Sequence, residues 1–554
     1  MTTLPVILIG AGVGGLAMAQ FLHKTRVPFH VYEADPSLTA RRQGYRIRIA
    51  DEGIEAFKRY LPLEKYRTLE ASCNTVTSHS SIPNAVLNAL TGELTTKLFK
   101  PGANSPIPPR PVYKPLSADR GVLRQNLLEG IEDHVTFGRK YHSFTDGHEG
   151  ITVHFSDGPD VQGSLLIGAD GVWSRVRQQL LPSYNLLDTE ARLVFGKTYL
   201  TDAFCQKFSR SASEGLTLIH GGSMKCLLEP MHFNKEIASL PEDYVYWVIF
   251  LRCDSQGIPA DILSKPSDEV KTLIQSLAKD WHPSLACLFE TSTTEMSVSR
   301  VLSSSPDIPD WGAGATATRV TLIGDAAHAM SPTAALGATT AIRDAAKIVD
   351  AIDQEGLNPE ALRSYEHQMR AYARESLEKS LVGGKAMFGM RAFQDLPKLL
   401  LFNNLAKSCK GFVDRIGQES IDTQLIDDFM SHLNRGIEVI GNWIFGSVET
   451  GKAAIGVRMS ESDTFTSMNI KAFGITVAQT ARGRENAIGA YVEARVDGPL
   501  GRMMKTKEKR EKEFTQATES LLLQIVQIEE HRKALDAEAK KTREKHLGRL
   551  SRPL

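Results

Sequence analysis

The sequence predicts an α/β fold in which a Rossmann-like nucleotide-binding domain is interleaved with a mainly antiparallel β-sheet domain, followed by a helical C-terminal extension. Two observations support this: glycine-rich turns follow apolar runs near the start and again near residue 324, and short β-like runs lie between them. We expect the nucleotide-binding domain at 1–190 and 303–380, the sheet domain at 191–302 and a mainly helical region at 381–554.

Composition and charge narrow the class of protein. The 554 residues are 42% hydrophobic, and 65 basic residues balance 65 acidic ones, so nothing favours a nucleic acid or a membrane surface as partner. The six cysteines form no C-x-x-C pair, which favours reduced thiols and argues against a metal site. With no basic leader and no apolar run near 18 residues in length, we expect a soluble cytoplasmic protein without an integral membrane segment.

A glycine-rich turn near the start predicts a dinucleotide site. Val6 to Ile9 has the character of a buried parallel strand, and Leu16 to Lys24 that of a helix. Between them lies a G-x-G-x-x-G pattern with four glycines, Gly10, Gly12, Gly14 and Gly15. Such glycines allow a tight turn, close approach to a pyrophosphate and packing of the helix on its strand. Packing alone is the alternative explanation.

The acidic residue after the second strand narrows the choice of nucleotide. Phe29 to Tyr32 ends at Glu33, about twenty residues beyond the glycines. A carboxylate here accepts hydrogen bonds from ribose hydroxyls and would repel a 2′-phosphate. The site therefore suits FAD or NAD and disfavours NADP.

Two further motifs separate FAD from NAD. An apolar run, Leu165 to Ile167, precedes Gly168-Ala169-Asp170-Gly171, and a second, Val320 to Ile323, precedes Gly324-Asp325. Together with the glycine fingerprint, these motifs resemble, in order and spacing over residues 4–380, the single-component FAD-dependent monooxygenases of the p-hydroxybenzoate hydroxylase-like (aromatic hydroxylase) family, which includes many fungal enzymes. The resemblance implies FAD as cofactor and NAD(P)H as a transiently bound co-substrate.

The resemblance also assigns roles around the Gly-Asp motif. Asp325 is expected to bind a ribitol hydroxyl of FAD, and Pro332 lies in the loop that follows. Gly337 and Ala338 begin a helix whose N-terminus is expected to point at the pyrimidine edge of the flavin. Where family members often have Gly-x-Gly-x-Asn, this chain has Ala335, Gly337 and Thr339. A close helix–sheet contact is the alternative reason for so many small residues.

Other cofactor contacts are implied at five positions. Arg120 matches the family arginine that approaches the pyrophosphate, and Arg124 lies one helical turn further on. Arg46 lies in the segment that passes beside the flavin, and Asp170 and Gly171 are expected near the pyrophosphate. The alternatives are solvated helix arginines, a plain strand arginine and a turn that closes an edge strand.

The middle of the chain is expected to hold a small apolar or aromatic substrate. Five β-like runs suit an antiparallel sheet over the flavin, namely 192–201, 215–220, 225–231, 244–252 and 294–302. The catalytic residues are unknown from sequence; the groups able to orient a substrate are Tyr199, His220, Tyr244 and Tyr246, although packing explains each of them too. His328 is either a general base or a structural group.

We therefore expect an FAD-dependent monooxygenase of secondary metabolism. It would use NAD(P)H and O2 to hydroxylate or epoxidise an apolar, aromatic or polyketide-like molecule through a flavin C4a-hydroperoxide. The sequence GAGATA at 312–317 precedes a strand, which is the wrong order for a second nucleotide fingerprint. The alternatives are a flavin-dependent reductase or dehydrogenase and a flavin-bearing interaction protein. A charged helix predicted within 505–550 could mediate self-association.

Overall fold

The structure is a computed structural model. It describes residues 4–399 apart from 41–45, 77–82, 84, 96–111, 148–149, 222–223, 253–257, 260–261, 291–295 and 312–317, and beyond them 469–472, 475–481 and 488–494. The chain divides into two compact units, residues 1–398 and 399–554. Every predicted site residue lies in the first unit.

Eleven α-helices are described in the first unit. They are α1 (Val13–Thr25), α2 (Asp51–Tyr60), α3 (Leu63–Ala71), α4 (Arg120–Leu128), α5 (Arg175–Leu180), α6 (Asp202–Cys205), α7 (Ser267–Leu277), α8 (Pro283–Glu290), α9 (Asp325–His328), α10 (Gly337–Glu355) and α11 (Pro359–Phe388). The strands described there are β1 (Val6–Ile9), β2 (Phe29–Tyr32), β3 (Arg46–Ile49), β4 (Ala85–Asn88), β5 (Leu116–Asp119), β6 (Val135–Thr136), β7 (Tyr141–Asp146), β8 (Ile151–Phe155), β9 (Val161–Gly163), β10 (Leu165–Gly168), β11 (Leu186–Tyr199), β12 (Thr217–Gly221), β13 (Met224–Met231), β14 (Tyr244–Arg252), β15 (Ser297–Ser303), β16 (Val320–Leu322) and β17 (Lys398–Leu399).

A parallel sheet forms the nucleotide-binding layer. Its order is β16-β10-β1-β2-β6, and all four residues of β1 and of β10 are buried, as their continuous apolar runs predict. The strands predicted at Val6–Ile9 and Phe29–Tyr32 are confirmed. Because β10 lies between β16 and β1, the edge-strand explanation for Asp170-Gly171 is wrong.

A seven-stranded sheet forms the second layer. Its order is β15-β11-β14-β13-β12-β4, with β17 beside β11, and the pairs from β11 through β14 and β13 to β12 are antiparallel as predicted. The sheet is wider than the predicted range 191–302, because β11 begins at Leu186 and β4 and β17 come from distant parts of the chain. One face, with Trp247 and Ile249, packs on residues of α7 and α8; the other carries Tyr244 and Tyr246.

Two smaller assemblies complete the first unit. Strands β3 and β5 form an antiparallel ribbon, and β7, β8 and β9 form a three-stranded sheet. None of the helices within the described ranges is long and apolar enough to cross a membrane.

In the second unit the described residues are strands, β18 (Asn469–Ala472), β19 (Ile475–Ala481) and β20 (Ile488–Ala494), paired antiparallel. These three segments are therefore strands within a region, 381–554, that was predicted to be mainly helical. The charged helix predicted within 505–550 and the sequence at 312–317 lie outside the described residues.

Candidate cofactor-binding and active site

The glycines of the first fingerprint divide into two kinds. Gly10 has φ +109°, and a Cβ on it would lie 2.4 Å from the Ala169 carbonyl oxygen, while a Cβ on Gly15 would lie 2.0 Å from the Gly10 carbonyl oxygen. A Cβ on Gly14 would lie 3.2 Å from the Cβ of Ala341, so Gly14 allows α1 and α10 to pack closely. A Cβ on Gly12 would meet nothing within 4 Å. Packing therefore explains three of these glycines, but at Gly12 the backbone is left accessible from outside, as an approaching pyrophosphate requires.

Two charged side chains fix the turn between β1 and α1. The Glu33 carboxylate accepts hydrogen bonds from the backbone N–H of Ala11 at 2.7 Å and of Asp35 at 2.9 Å. Arg124 donates to the carbonyl oxygens of Ala11 at 3.0 Å and Leu38 at 3.1 Å. Because Arg124 is only 5% exposed, the solvated-arginine explanation is wrong for it. Glu33 and Arg124 therefore hold the two backbone polar groups of the same residue, Ala11.

The helices α1 and α10 begin without the groups that usually satisfy a helix N-terminus. Neither has a side-chain cap or an acidic residue in its first turn. Every other described helix of eight or more residues has a side-chain acceptor at its start or an acidic residue in its first turn: a side-chain acceptor for α4, α8 and α11, an acidic residue for α2, α3 and α7. Free N–H groups and the positive end of the helix dipole make α1 and α10 suited to anions.

Asp325 combines exposure with a desolvated carboxyl. Its side chain is exposed, yet the surrounding protein raises the pKa of its carboxyl by desolvation, against the opposing effects of His328, Arg120 and Arg177. A carboxyl is both exposed and desolvated where protein surrounds it on several sides, so we infer that Asp325 lines a cleft. Asp325 is therefore placed where a bound molecule could use it as an acceptor.

Behind Asp325 lies a buried hydrogen-bond network centred on Asp344. One of its carboxylate oxygens accepts from the Gly324 N–H at 2.8 Å and lies 2.8 Å from His328 Nε2, and the other accepts from the Tyr372 hydroxyl at 2.6 Å. Burial is the largest single effect and lowers the pKa of His328, but the charge and hydrogen bond of Asp344 together with the charge of Asp325 raise this pKa overall. His328 is fully buried, so its position favours a structural role over that of a general base.

The Asp-Gly turn is tied directly to the Gly-Asp loop. One oxygen of Asp170 accepts from the N–H groups of Arg175 at 2.8 Å and Val176 at 3.2 Å, at the start of α5. Arg177, which is 1% exposed, donates to the carbonyl oxygens of Ala326 at 3.0 Å and Val172 at 2.7 Å. No role was predicted for Arg177 from the sequence, although its place six residues after the Asp-Gly motif was a usable signal.

The two residues that depart from the family loop, Ala335 and Thr339, each have a defined place in the structure. Ala335 adopts the left-handed conformation with φ +54°, which glycine would adopt at less cost, by roughly 1 kcal/mol. Thr339 replaces the family asparagine, and its hydroxyl accepts a hydrogen bond from the Ala50 N–H at 3.0 Å. Pro332 begins a short 3-10 turn, Pro332–Ala334. The loop thus keeps a glycine-like conformation at residue 335, while Thr339 holds the residue that follows β3.

The remaining arginines have different surroundings. Arg120 is half-buried at the first position of α4. Its charge opposes the desolvation that raises the pKa of the Asp325 carboxyl, so Arg120 lies near that carboxyl. Arg46 lies against the seven-stranded sheet, where its Nε is 2.5 Å from a carboxylate oxygen of Glu229. Both side chains of this pair are buried, at 7% and 1% exposed.

The residues predicted to orient a substrate separate into two places. Tyr244 donates to Asp119 at 2.8 Å, and Tyr199 makes an edge contact with the Tyr244 ring at 6.5 Å between centroids. Tyr246, on the same face, is 6% exposed. His220 lies on β12 next to the outermost strand, with Nε2 3.2 Å from the Thr95 hydroxyl. The structure therefore groups the three tyrosines and leaves His220 apart.

Two charged residues on this face, Lys197 and Glu229, had been given no role. Lys197 Nζ donates to Asp119 at 2.7 Å, and Glu229 accepts from the Ser117 hydroxyl at 3.1 Å. Each is a lone charged residue within an apolar β-run, in LVFGKTYL and CLLEPM. Because charges are costly to bury without partners, that pattern was a usable signal.

These residues fit FAD. A turn that leaves Gly12 accessible, two uncapped helix N-termini and a carboxyl in a cleft match the pyrophosphate, flavin ring and ribityl chain. Glu33 ends the second parallel strand, where a ribose is bound in such folds. Fold and site together define a Rossmann-type flavoprotein with a second, antiparallel sheet.

Comparison with known proteins agrees with that class. Residues 310–380 match the family of FAD binding domains. The chain is 34% identical over 446 residues to the dual O-methyltransferase/FAD-dependent monooxygenase elcB of Phaeosphaeria nodorum, covering 71% of this chain and 47% of that protein. It is 25% identical to the FAD-dependent monooxygenase thnD of Trichoderma harzianum, covering 68% and 90%. Over about 70% of its length the chain is therefore similar to FAD-dependent monooxygenases.

A solved structure shows the same fold. Klebsiella pneumoniae HpxO in complex with FAD and uric acid superposes with a TM-score of 0.55 at 20% identity, covering 70% of this chain and 89% of that one. The chain spans about half the length of the curated relatives that it matches at 32–34% identity.

Proposed function

We propose that the chain is an FAD-dependent monooxygenase that uses NAD(P)H and O2 to hydroxylate or epoxidise an apolar, aromatic or polyketide-like small molecule. The observation that carries this proposal is the exposed but desolvated Asp325 carboxyl, which directly follows Gly324, where a Cβ would lie 3.1 Å from the Cβ of Ala341 in the uncapped helix α10. A carboxylate acceptor beside a helix N-terminus suits the hydroxyl-bearing chain and the electron-accepting ring of FAD.

In this proposal the protein positions the cofactor and shields it from water. Gly12 and the start of α1 receive the pyrophosphate, Glu33 accepts from the ribose, and Asp325 accepts from the ribitol. Arg120 lies close enough to the cleft to neutralise phosphate charge. Contacts of Arg46, Asp170, Gly171, Gly337 and Ala338 with FAD are proposed from the resemblance. Bound FAD would supply the redox chemistry, accepting a hydride from NAD(P)H and passing electrons to O2.

The name of one relative favours one of the two product classes. elcB is named for an O-methyltransferase as well as a monooxygenase. A phenolic hydroxyl is a group that an O-methyltransferase can methylate, so we favour hydroxylation of an aromatic ring over epoxidation. A cytoplasmic location is part of the proposal, as is self-association through the segment 505–550.

Oxygen consumption tests the function. Purified protein loaded with FAD should consume O2 and NAD(P)H together when an aromatic substrate is added, and the product should gain one oxygen atom by mass. Substrate turnover without O2 would establish the reductase or dehydrogenase alternative. If deletion from residue 446 onward abolished binding to a second protein and left NAD(P)H oxidation intact, the interaction role would gain support beside the enzymatic one.

A further inference from the structure

A buried polar cluster joins the β3–β5 ribbon to the seven-stranded sheet. In the β3–β5 ribbon, Arg46 pairs with Asp119 and Arg48 with Ser117, so these four side chains share one face of the ribbon. On the facing sheet, Lys197 is directly opposite Tyr246, which is directly opposite Glu229. The interface cluster consists of the charged and hydroxyl residues of both layers: Arg46, Arg48, Ser117, Asp119, Lys197, Glu229 and Tyr244.

The two layers are bridged by ion pairs and hydrogen bonds. Arg46 and Ser117 of the ribbon meet Glu229 of the sheet, at 2.5 Å and 3.1 Å. Lys197 and Tyr244 of the sheet both donate to the same oxygen of Asp119, at 2.7 Å and 2.8 Å. The ammonium of Lys197 also lies 4.3 Å from the centroid of the Tyr244 ring, a cation–π distance.

The interface cluster has more positive than negative charge. Its two carboxylates, Asp119 and Glu229, face three cations, and both carboxylates are nearly fully buried, at 4% and 1% exposed. Burial, with the neighbouring Arg46, lowers the pKa of Arg48 to about 10. Within this set the cations outnumber the carboxylates, and such a setting favours the approach of an anionic group.

Lys197 is the cluster member that a bound molecule can reach. Its side chain is 22% exposed, whereas the side chain of Arg46 is 7% exposed and Tyr244 is fully buried. Around it the same sheet face is aromatic, with Tyr246 stacked against Phe195 at 6.5 Å between centroids. A cation set among aromatic side chains suits an aromatic molecule that has an acidic oxygen.

Lys197 is also close to the cofactor site. Its partner Asp119 accepts from the N–H groups of Gly121 and Val122 and so caps α4. The first residue of that helix is Arg120, whose positive charge favours the ionised form of the Asp325 carboxyl in the cleft. One carboxylate thus fixes both the lysine on the sheet and the start of the helix that presents Arg120.

We propose that Lys197 is a specificity-determining residue that binds an acidic oxygen, a phenolate or enolate, of the aromatic substrate, with Asp119 and the Tyr244 ring holding its ammonium in place. This inference rests on the proposed function, because it takes the sheet face beside the cleft as the substrate side. Removal of the Lys197 charge should therefore weaken binding of an acidic aromatic molecule without loosening FAD.

The test uses the FAD-loaded full chain and two probes, 1-naphthol and its neutral methyl ether, 1-methoxynaphthalene. Each dissociation constant is measured by the probe's own fluorescence. The wild type should bind 1-naphthol more tightly than the ether, and Lys197→Met should weaken naphthol binding at least about ten-fold, since bonds to a charged donor are strong. Ether binding and the FAD dissociation constant should not change.

Three further variants make the result specific. Lys197→Arg should restore most of the preference for naphthol, whereas Lys197→Gln should not. Lys225→Met is the matched control, because Lys225 lies on the same sheet face but donates to the Ala386 carbonyl oxygen at 2.7 Å, away from Asp119. It should leave naphthol binding unchanged.

Three results would overturn the inference: no preference of the wild type for naphthol, equal loss of both probes in Lys197→Met, or no loss of either. Anaerobic bleaching of the flavin by NAD(P)H is recorded on the same samples. Normal bleaching without any naphthol preference would remove the anion subsite and leave the proposed function standing. Failure to hold FAD or to bleach would count against the proposed function, whatever the probe result.

Discussion

The helix pair α1 and α10 differs from the pair α4 and α11 in how the first N–H groups are satisfied. Asp119 caps α4 and Asn358 caps α11, each through a side-chain oxygen. α1 and α10 have neither a cap nor an acidic residue in the first turn. An uncapped start costs stability, of the order of 1 kcal/mol per missing cap. The first N–H groups of α1 and α10 therefore stay available to a ligand, whereas α4 and α11 already have side-chain acceptors at their starts.

The largest effect is expected at the carboxyl beside the uncapped α10. Asp325→Ala removes the acceptor for the ribitol, and because shifts of about 1 Å can cost roughly a hundred-fold, flavin reduction by NAD(P)H should slow by about that factor. The measurement is stopped-flow bleaching of the flavin at equal FAD loading. Asp307→Ala, which removes a surface carboxylate paired with Arg374, is the control and should reduce normally.

A purely structural role of Asp325 would give a different set of results. If Asp325 only stabilises the turn, the variant would melt earlier as apoprotein while FAD affinity and the reduction rate stayed normal. That result would end the cofactor role of Asp325.

A ten- to hundred-fold loss of FAD affinity is expected for Glu33→Arg. The change removes hydrogen bonds to a charged acceptor, about 1.5–3 kcal/mol each, and also frees the Ala11 N–H at the start of α1. Equilibrium titration of apoprotein with FAD measures it, with Glu55→Arg on the exposed face of α2 as control. An unchanged dissociation constant for the Glu33 variant would place the ribose elsewhere.

An acidic residue placed in the first turn of α10, as in α2 and α7, tests whether the uncapped start of α10 serves a ligand. Ala338→Glu puts an acidic residue in the first turn of α10, which favours the helix but repels an anionic ligand. The apoprotein should keep its melting temperature or gain slightly, whereas FAD should bind about ten-fold more weakly. Gln354→Glu adds the same charge at the other end of α10 and should leave FAD affinity unchanged. Equal affinities in both variants would show that α10 does not face the cofactor.

The smallest effect on the cofactor is expected at Glu366, in the buried core. Glu366 is 3% exposed, and burial raises the pKa of its carboxyl from 4.5 to about 7. A raised folded pKa means that this contribution to stability is full below pH ~4.5 and is lost as the pH rises through about 7, a change of about 3 kcal/mol. Urea unfolding of Glu366→Gln at pH 5 and pH 8 should lack this loss, with FAD affinity unchanged. A wild-type pH dependence retained in the variant would assign it to other groups.

The cofactor-binding layer was more predictable than the sheet because its signals are local. The glycine turn, the strand Phe29–Tyr32 and Glu33 follow one another within about thirty residues and depend on backbone geometry. The pairing of Lys197 with Asp119 joins residues 78 positions apart. No periodicity in a single sequence encodes such a pairing, which is fixed only when the ribbon packs on the sheet.

Other features that the sequence left undetermined have the same origin. Strand β4 is four residues long and joins the sheet through β12, so its membership depends on tertiary pairing. Arg46 has the same sequence signal whether it contacts a cofactor or a buried carboxylate, and the structure places Glu229 beside it. Arg124 could not be separated from a solvated arginine until its contacts with Ala11 and Leu38 were seen.

We infer that the accessible backbone at Gly12, the uncapped helices and the Asp325 cleft together bind FAD. This is tested by identifying the flavin that acid releases from purified, reconstituted protein, by chromatography and mass. We expect stoichiometric, non-covalent FAD. Release of FMN instead, or no flavin bound after reconstitution, would contradict it.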